Sequence, residues 1–498
     1  MISTAFVSLF VLLTRALDID DGDRIDAIDY EPVGEWVLTV PFDDDASKAL
    51  LFDNEEEITV KRKDRIGDTI VYVLRGKDSK VSSALASKAV EYDSYTKNYM
   101  VVAGPGDAKA RPVAAGKTPS SRNKTRGKRD FKFELQRHVG NVVELSTDYE
   151  CRTEPPSSNV GYENGHFSWG LDRIDQRSPI LDRQACFFST SLSIVPDDQI
   201  VDVYVVDTGV QNDPSFVLPV SYDYSYYDVD NVHSSDCNGH ATHVAGLVAS
   251  TTYGVSPWNV QIHSIKALDC QGKGDFASLT AAFLWIDKHK SSTRRSIINL
   301  SLGSNGGQSS FVSNLLQRMW TKDGVFTIVA AGNYGESSCD VFPANVPDVI
   351  AVGATDARDD RASFSNYGSC TDVFAPGVSI VSCDFQDSSG GLTLSGTSMS
   401  APIVSGALAN WMYAYDASQP SSVVKTSFLK RFTKNHIDPS TISQGTSNAI
   451  VYVGSAPDNG NNRGNFDGVF VDSGSVVGRS ISMHVTLCFF IVIGVELF

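Results

Sequence analysis

Ser398 lies in Ser-Gly-Thr-Ser-Met-Ser-Ala-Pro, residues 395–402, directly before an apolar run from Ile403 to Trp411. A serine at the mouth of an apolar helix is placed as a nucleophile. Small neighbours admit a substrate, and the helix N-terminus offers N–H groups and positive potential. The same residues also make an ordinary capped helix, because Ser and Thr are favoured N-caps. Chemistry therefore depends on partners, and two candidates lie upstream. Asp207 closes the run Val203-Tyr204-Val205-Val206 and opens an Asp-Thr-Gly turn; alone, such an aspartate also starts turns and caps helices. His240 and His243 lie in Asn-Gly-His-Ala-Thr-His-Val-Ala-Gly, residues 238–246. Two histidines three apart can hold a metal, but the HExxH pattern is absent, and either one alone reads as a core or surface histidine. Together, an acid, a histidine and a serine can activate a hydroxyl. The imidazole takes its proton, and the carboxylate fixes the imidazole tautomer and stabilises the imidazolium that forms.

The elements that would position these groups are legible. Val201 to Val206 is short and mostly β-branched, which predicts a buried strand of a parallel sheet. Sites in open α/β sheets lie at the carboxyl ends of strands, where Asp207 falls. His240 opens a helix through Ala249, and Phe326 to Ala331 forms an apolar strand ending in Gly332-Asn333, a pair that also turns readily. Ile298 to Gly303 is a further strand. Its Asn299-Leu300-Ser301 is formally a glycosylation sequon, but the segment is expected to be buried.

The order Asp…His…Ser is that of subtilisin. The chain resembles subtilisin-like serine proteases of the proteinase K and aqualysin-like branch. The resemblance runs from Trp169-Gly170-Leu171-Asp172-Arg173-Ile174-Asp175-Gln176, similar to a mature N-terminus, to about Gly454. It implies an α/β fold, a subtilisin-like parallel sheet flanked by helices, preceded by a small α+β propeptide domain. It also implies a secreted, monomeric endopeptidase that cuts polypeptides through an acyl-enzyme. Asp207, His240 and Ser398 would form the triad, and His243 would be structural. Asn333 would donate to the oxyanion beside the Ser398 N–H, a contact whose loss typically costs ~10²–10³ in kcat. Ser301, Leu302 and Gly303 would pair with an extended substrate backbone. Ala330, Ala331 and Gly332 would form the opposite wall of the S1 pocket, with broad specificity for apolar or aromatic P1 residues. No catalytic cofactor is expected. A structural calcium would be held by the carbonyls of Pro347 and Val349 and the carboxylate of Asp372, oxygen ligands suited to a hard cation. Disulfides Cys237–Cys270 and Cys339–Cys370 are implied, each closing a loop of ~30 residues and worth ~3 kcal/mol in the chain-entropy model. Cys151, Cys186, Cys383 and Cys488 are left without assigned partners. Two positions depart from the pattern. Ala241 replaces the usual glycine after the catalytic histidine and places a methyl beside the base. Ile403 replaces a histidine outside the triad.

The chain has 498 residues, 42% of them hydrophobic, with net charge −17. That size suits one large domain plus extras, and the acidity argues against nucleic-acid binding and for solubility. Residues 1–16 read as a signal peptide, with an apolar core from Ala5 to Leu13 and small residues Thr14 and Ala16 before the cut. Residues 17–158 read as a propeptide that acts as an intramolecular inhibitor. Glu35–Val40 and Ile70–Leu74 are expected strands, and Phe133–Asp148 is expected to supply its last helix and strand. Between them, residues 104–130 form a basic loop insertion. From Lys109 to Arg129 it carries eight basic residues and no acid, and it contains a furin-type Arg126-Gly127-Lys128-Arg129 and an Asn123 sequon. Self-cleavage is expected within 152–167, ahead of a catalytic domain at 159–454. Residues 455–475 are a linker. Residues 476–498 end in an apolar tail too short to span a bilayer, with small residues ahead of it that fit a GPI-anchor signal; a membrane contact would come only through that anchor. Two rival readings exist. Asp207-Thr208-Gly209 with Asp472-Ser473-Gly474 superficially supplies an aspartic protease, but leaves His240 and Ser398 unexplained. A pseudo-protease acting as a binding module is favoured only by Ala241.

Overall fold

Seven consecutive buried residues, Val201–Asp207, set the architecture. A strand can bury every side chain only if both faces of its sheet are covered. The computed structural model describes residues 34–41, 58–66, 69–76, 78–87, 94–97, 100–103, 111–112, 148–153, 168–189, 195–227, 235–305, 307–388, 390–414 and 419–454. The expected signal peptide, most of the basic loop with Asn123 and Arg129, residues 133–147, most of 152–167, the linker, the tail and Cys488 lie outside the described residues.

In chain order, a first group holds β1 (Gly34–Pro41), β2 (Thr59–Ile66), β3 (Thr69–Gly76), α1 (Asp78–Ser87), β4 (Ser94–Lys97) and β5 (Met100–Ala103). The second begins with β6 (Val201–Asp207), β7 (Ser221–Ser225), α2 (His240–Ala249), β8 (Val260–Lys266), β9 (Lys273–Asp275) and α3 (Phe276–His289). It continues with β10 (Arg295–Leu300), β11 (Leu302–Asn305), α4 (Ser310–Asp323), β12 (Phe326–Ala330), β13 (Ile350–Thr355) and β14 (Val373–Pro376). It ends with β15 (Ile380–Cys383), β16 (Gly391–Leu394), α5 (Thr397–Ala414), α6 (Ser421–Lys430), β17 (Thr433–Lys434) and β18 (Ala449–Ile450).

The main sheet has the order β7-β8-β6-β10-β12-β13-β14-β18-β17. All pairings are parallel except the last. Alternate residues of β6 feed two cores, as period-two geometry requires. Val201, Val203 and Val205 pack among residues of α2 and α5, whereas Tyr204 and Val206 pack among those of α3 and α4. The chain leaves β6 toward β8 on one side and returns to β10 on the other. That reversal opens a crevice at the carboxyl end of β6, where Asp207 lies.

The first group forms a four-stranded sheet, β2-β3-β1-β4. Leu38, Tyr72 and Leu74 pack with Val81, Ala84 and Leu85 of α1. From the other face, Val37, Val71 and Val73 join the core of α3 and α4. The small sheet is thus a second layer laid on the helices of the main sheet. The strands expected at 35–40 and 70–74 are present. Among the described residues the sheet is completed by β4; the helix and strand expected at 133–148 lie almost wholly outside them. Cys151 and Cys186 are register partners where Asp148–Thr153 pairs with Gln184–Ser189. Both disulfides implied by the resemblance are formed, Cys237–Cys270 and Cys339–Cys370. Cys383 is buried with a free thiol, pushed up to about 12 by burial.

His263 on β8 stands between Asp202 at 3.1 Å and Asp223 at 2.5 Å, stacked on Tyr204. Burial opposes its charge, but the two carboxylates outweigh burial and raise it to about 9, from 6.5. A raised folded-state pKa stabilises fully below the unfolded value and fades as pH climbs through the folded one. His263→Gln is therefore expected to lose more stability near about pH 6 than near about pH 10, read as urea midpoints at the two pH values.

Candidate active site

Asp207 ends β6, His240 opens α2 and Ser398 lies in the first turn of α5; the first two are paired, and α2 packs against α5. Asp207 is fully buried. His240 Nδ1 lies 2.9 Å from both of its carboxylate oxygens, and the Thr208 N–H donates to Oδ1 at 2.7 Å. Burial lowers the His240 pKa, but the Asp207 carboxylate and the more distant Asp236 raise it more, so the net shift is upward from 6.5. His240 Nε2 has no hydrogen-bond partner among the described residues. It is the nitrogen a proton-accepting base must keep open. Ala241 is fully buried and donates its N–H to Thr208 Oγ1 at 3.2 Å. The extra methyl faces the core and leaves the Asp–His pair intact.

Gly239 supplies the tight entry to α2. Its φ of 102° is left-handed, and a Cβ there would meet the Phe385 ring at 2.6 Å, so only glycine fits. With no capping side chain on a glycine, Asp236 does the work. Its Oδ1 accepts from the N–H groups of Asn238 and Gly239 and from Thr208 Oγ1, and its Oδ2 accepts from Thr242 N–H and Oγ1. One carboxylate thus ties the start of α2 to the end of β6. His243 is neutral and structural, as the resemblance implies: burial drives it down to about 3, and its Nε2 donates to the carbonyls of Ile380 and Leu392.

The serine arm rests on a proline. Pro402 lies inside α5 and has no N–H to give to the carbonyl four residues back, that of Ser398. Ser301 Oγ supplies the missing donor at 2.8 Å. Reciprocally, Ser398 Oγ donates to the Ser301 carbonyl at 3.1 Å. Asn299 Nδ2 donates to Ser301 Oγ, and Ser405 Oγ donates to Asn299 Oδ1. Asn299 is fully buried, which disposes of the sequon. The nucleophile segment and β11 are thereby laced together. Ser398 itself lies in the first turn of α5, whose N–H groups lack helical acceptors.

Asn333 Oδ1 accepts from Thr397 N–H at 2.8 Å and Thr397 Oγ1 at 2.9 Å. A backbone N–H can only donate, so the oxygen must face Thr397. That leaves Nδ2 pointing as a donor on the Ser398 side. Ala330 and Ala331 are buried, and Gly332 has φ 104° with Asn366 Nδ2 only 2.5 Å from where a Cβ would stand. These walls are small and apolar.

β11, the strand expected to take a substrate, is already paired. β5 runs antiparallel between β9 and β11, with Ala103 opposite Leu302 and Val102 opposite Gly303 and Lys273. The Ala103 N–H donates to the Gly272 carbonyl at 3.0 Å. Farther along, Arg111–Pro112 pairs antiparallel with β16, Pro112 opposite Leu392. β9 was missed in the sequence. Its three residues, a lysine, a glycine and a capping aspartate, carry no strand signal.

The positions expected to hold calcium already have a cation among them. Lys425 Nζ donates to the Val349 carbonyl at 2.6 Å and lies 3.6 Å from Asp372 Oδ1.

The Subtilase family matches residues 198–457, slightly more than half of the chain. An extracellular serine proteinase of Thermus sp. (strain Rt41A) is 40% identical over 257 residues, 51% of this chain and 59% of that protein. Alkaline serine exoprotease A of Vibrio alginolyticus is 38% identical over 286 residues, 57% of this chain and 50% of that one. Proteinase R of Parengyodontium album is 33% identical over 328 residues, 65% and 79% of the two chains. The crystal structure of a cold adapted subtilisin-like serine proteinase superposes with a TM-score of 0.50 at 36% identity, covering 58% of this chain and 98% of that one. The chain spans half to three fifths of the length of the first two relatives. It belongs to the subtilase family and has the subtilisin-like fold.

Asp236→Asn replaces a buried acceptor with a group that also donates, facing five donors. It is expected to cost roughly 2–4 kcal/mol, measured by denaturant unfolding.

Proposed function

We propose that this chain is the zymogen of a secreted serine endopeptidase, and that the stretch beginning at β5 is its first substrate. The observation that carries this reading is the arrangement of Asp207, His240 and Ser398 beside a cleft in which β5 lies as an added strand. Strand addition recognises main chain and leaves sequence tolerance wide. The small apolar walls at Ala330 to Gly332 favour apolar or aromatic P1 residues. An aspartic protease does not account for Asp207 bound to a histidine, and its second aspartate, Asp472, lies outside the described residues.

The chemistry follows from the groups in place. The Ser398 hydroxyl turns from the Ser301 carbonyl to His240 Nε2 and attacks the substrate carbonyl as its proton passes to the imidazole. Asp207 stabilises the imidazolium. Asn333 Nδ2 and the Ser398 N–H meet the oxyanion, donors worth most where water is excluded. Collapse expels the amine with the proton from His240 and leaves an acyl-enzyme, which water then hydrolyses by the same relay.

The pairing of β5 with β9 and β11 supports an earlier first cut than the one expected from the sequence. Instead of 152–167, the first scissile bond belongs between β5 on one side of Ser398 and Arg111–Pro112 on the other. The cut segment would stay in the cleft as a product inhibitor. Cleavages at 152–167 and at Arg129 then become trimming. Secretion through residues 1–16 and anchoring through 476–498 belong to this reading on sequence alone.

Ser398→Ala is expected to abolish activity by about 10⁶ in kcat and to leave the chain uncut. N-terminal sequencing of the first wild-type product should begin between residues 104 and 112. Unchanged maturation in the variant would remove Ser398 from the mechanism. A first cut at 152–167 would mean that β5 is not a substrate. The raised His240 pKa predicts that kcat/KM climbs with pH through values above 6.5, because only neutral imidazole accepts the proton. Asp207→Asn removes the charge that raises it. Its acid limb should move to lower pH while kcat falls by about 10⁴.

A further inference from the structure

Lys425 projects from α6, a short helix whose Val424 and Phe428 are buried in the core. Its ammonium reaches the carbonyl of Val349, one residue before β13, and the carboxylate of Asp372, one residue before β14. These two oxygens belong to the set expected to hold calcium. Asp372 Oδ2 accepts the Ala351 N–H at 3.0 Å, so its Oδ1 is the oxygen turned to the cation. The Nζ–O distance to Val349 is 2.6 Å. Calcium sits about 2.3–2.6 Å from its oxygen ligands. An ion bound to Val349 would therefore occupy the same point as the ammonium.

We propose that Lys425 replaces a divalent cation at the Val349–Asp372 site, so that these two strand entrances are tied by a cation the chain carries itself. Charge favours the exchange. The one carboxylate, Asp372, is balanced by one ammonium, whereas calcium would leave the site with net positive charge beside a lysine. Valence favours it too. An ammonium has three donors and is satisfied by a few oxygens, whereas calcium wants six to eight. The cation also needs no capture from solvent, because α6 delivers it.

The clamp acts where a covalent one already acts. Cys370, two residues before Asp372, is bonded to Cys339. Lys425 and this disulfide together fix the loops that lead into β13 and β14, on the side of the sheet away from Ser398. The inference rests on this geometry and not on the protease reading, and its test reads stability instead of turnover.

The test uses the full-length Ser398→Ala chain as the background for every variant, called wild type below, so that it needs neither maturation nor turnover. Thermal midpoints are compared in calcium chloride and in chelator. For the wild type, any calcium-dependent shift should be the same with and without Asp372→Asn. Lys425→Met should become calcium-dependent, with a midpoint roughly 5–10 °C lower in chelator than in calcium. Adding Asp372→Asn to Lys425→Met should abolish that dependence. Lys425→Arg keeps the charge and should behave as wild type, which covers the case of a Met variant that fails to fold. The proposal is overturned if Asp372→Asn alone removes a calcium response from the wild type, or if Lys425→Met folds and ignores calcium. It is also overturned if Lys425→Arg acquires one.

Discussion

A fully buried carboxylate at the end of the central strand is the constraint around which the molecule is arranged. A charge taken out of water is tolerated only when it is paired and hydrogen-bonded. Asp207 meets that demand with His240 and the Thr208 N–H, and the demand propagates outward. His240 must open a helix at a fixed height above the sheet, so Gly239 takes a left-handed turn. Asp236 then gathers the N–H groups that the turn exposes. The same carboxylate that holds the imidazole thus dictates a second buried carboxylate beneath it.

The serine arm shows a matching economy. Pro402 leaves the Ser398 carbonyl without a helical donor, and Ser301 fills the gap. The segment leading into β11 is therefore bolted to the start of α5. A shift of one drags the other, so the distance between β11 and the Ser398 hydroxyl is set by two hydrogen bonds and not by a flexible loop.

Much of this was legible in the sequence. Period-two and continuous apolar runs marked β6, β10 and β12, because strands buried on both faces have no other way to read. Asp207, His240 and Ser398 drew attention because each stands at an element's end, where turn chemistry and small residues cluster; their roles, and that of Asn333, came from likeness. The pairing of Cys237 with Cys270 and of Cys339 with Cys370 came from likeness, since spacing alone fixes no connectivity. Other features were not legible. Four-residue strands such as β4 and β5 carry too few side chains for a period, so neither was read in the sequence. The hydrogen bond between Ser301 and Ser398 joins residues 97 apart, and no local pattern records it. No local pattern marks Lys425; its contacts exist only because α6 ends up over the entrances to β13 and β14.

The small N-terminal sheet has two faces and, among the described residues, one helix of its own. Val37, Val71 and Val73 are buried solely because α3 and α4 lie against them. Its private core is a handful of residues around Leu38, Tyr72 and Leu74. Folded alone, a unit of this size buries too little to be secure. On the proposed reading, cutting one peptide bond after β5 would not by itself free the cleft, since the apolar contact with α3 and α4 would survive the cut. Departure would expose that face and take from the sheet the partner it needs. The layer contact would then act as a clock, delaying the first turnover by the lifetime of one hydrophobic interface.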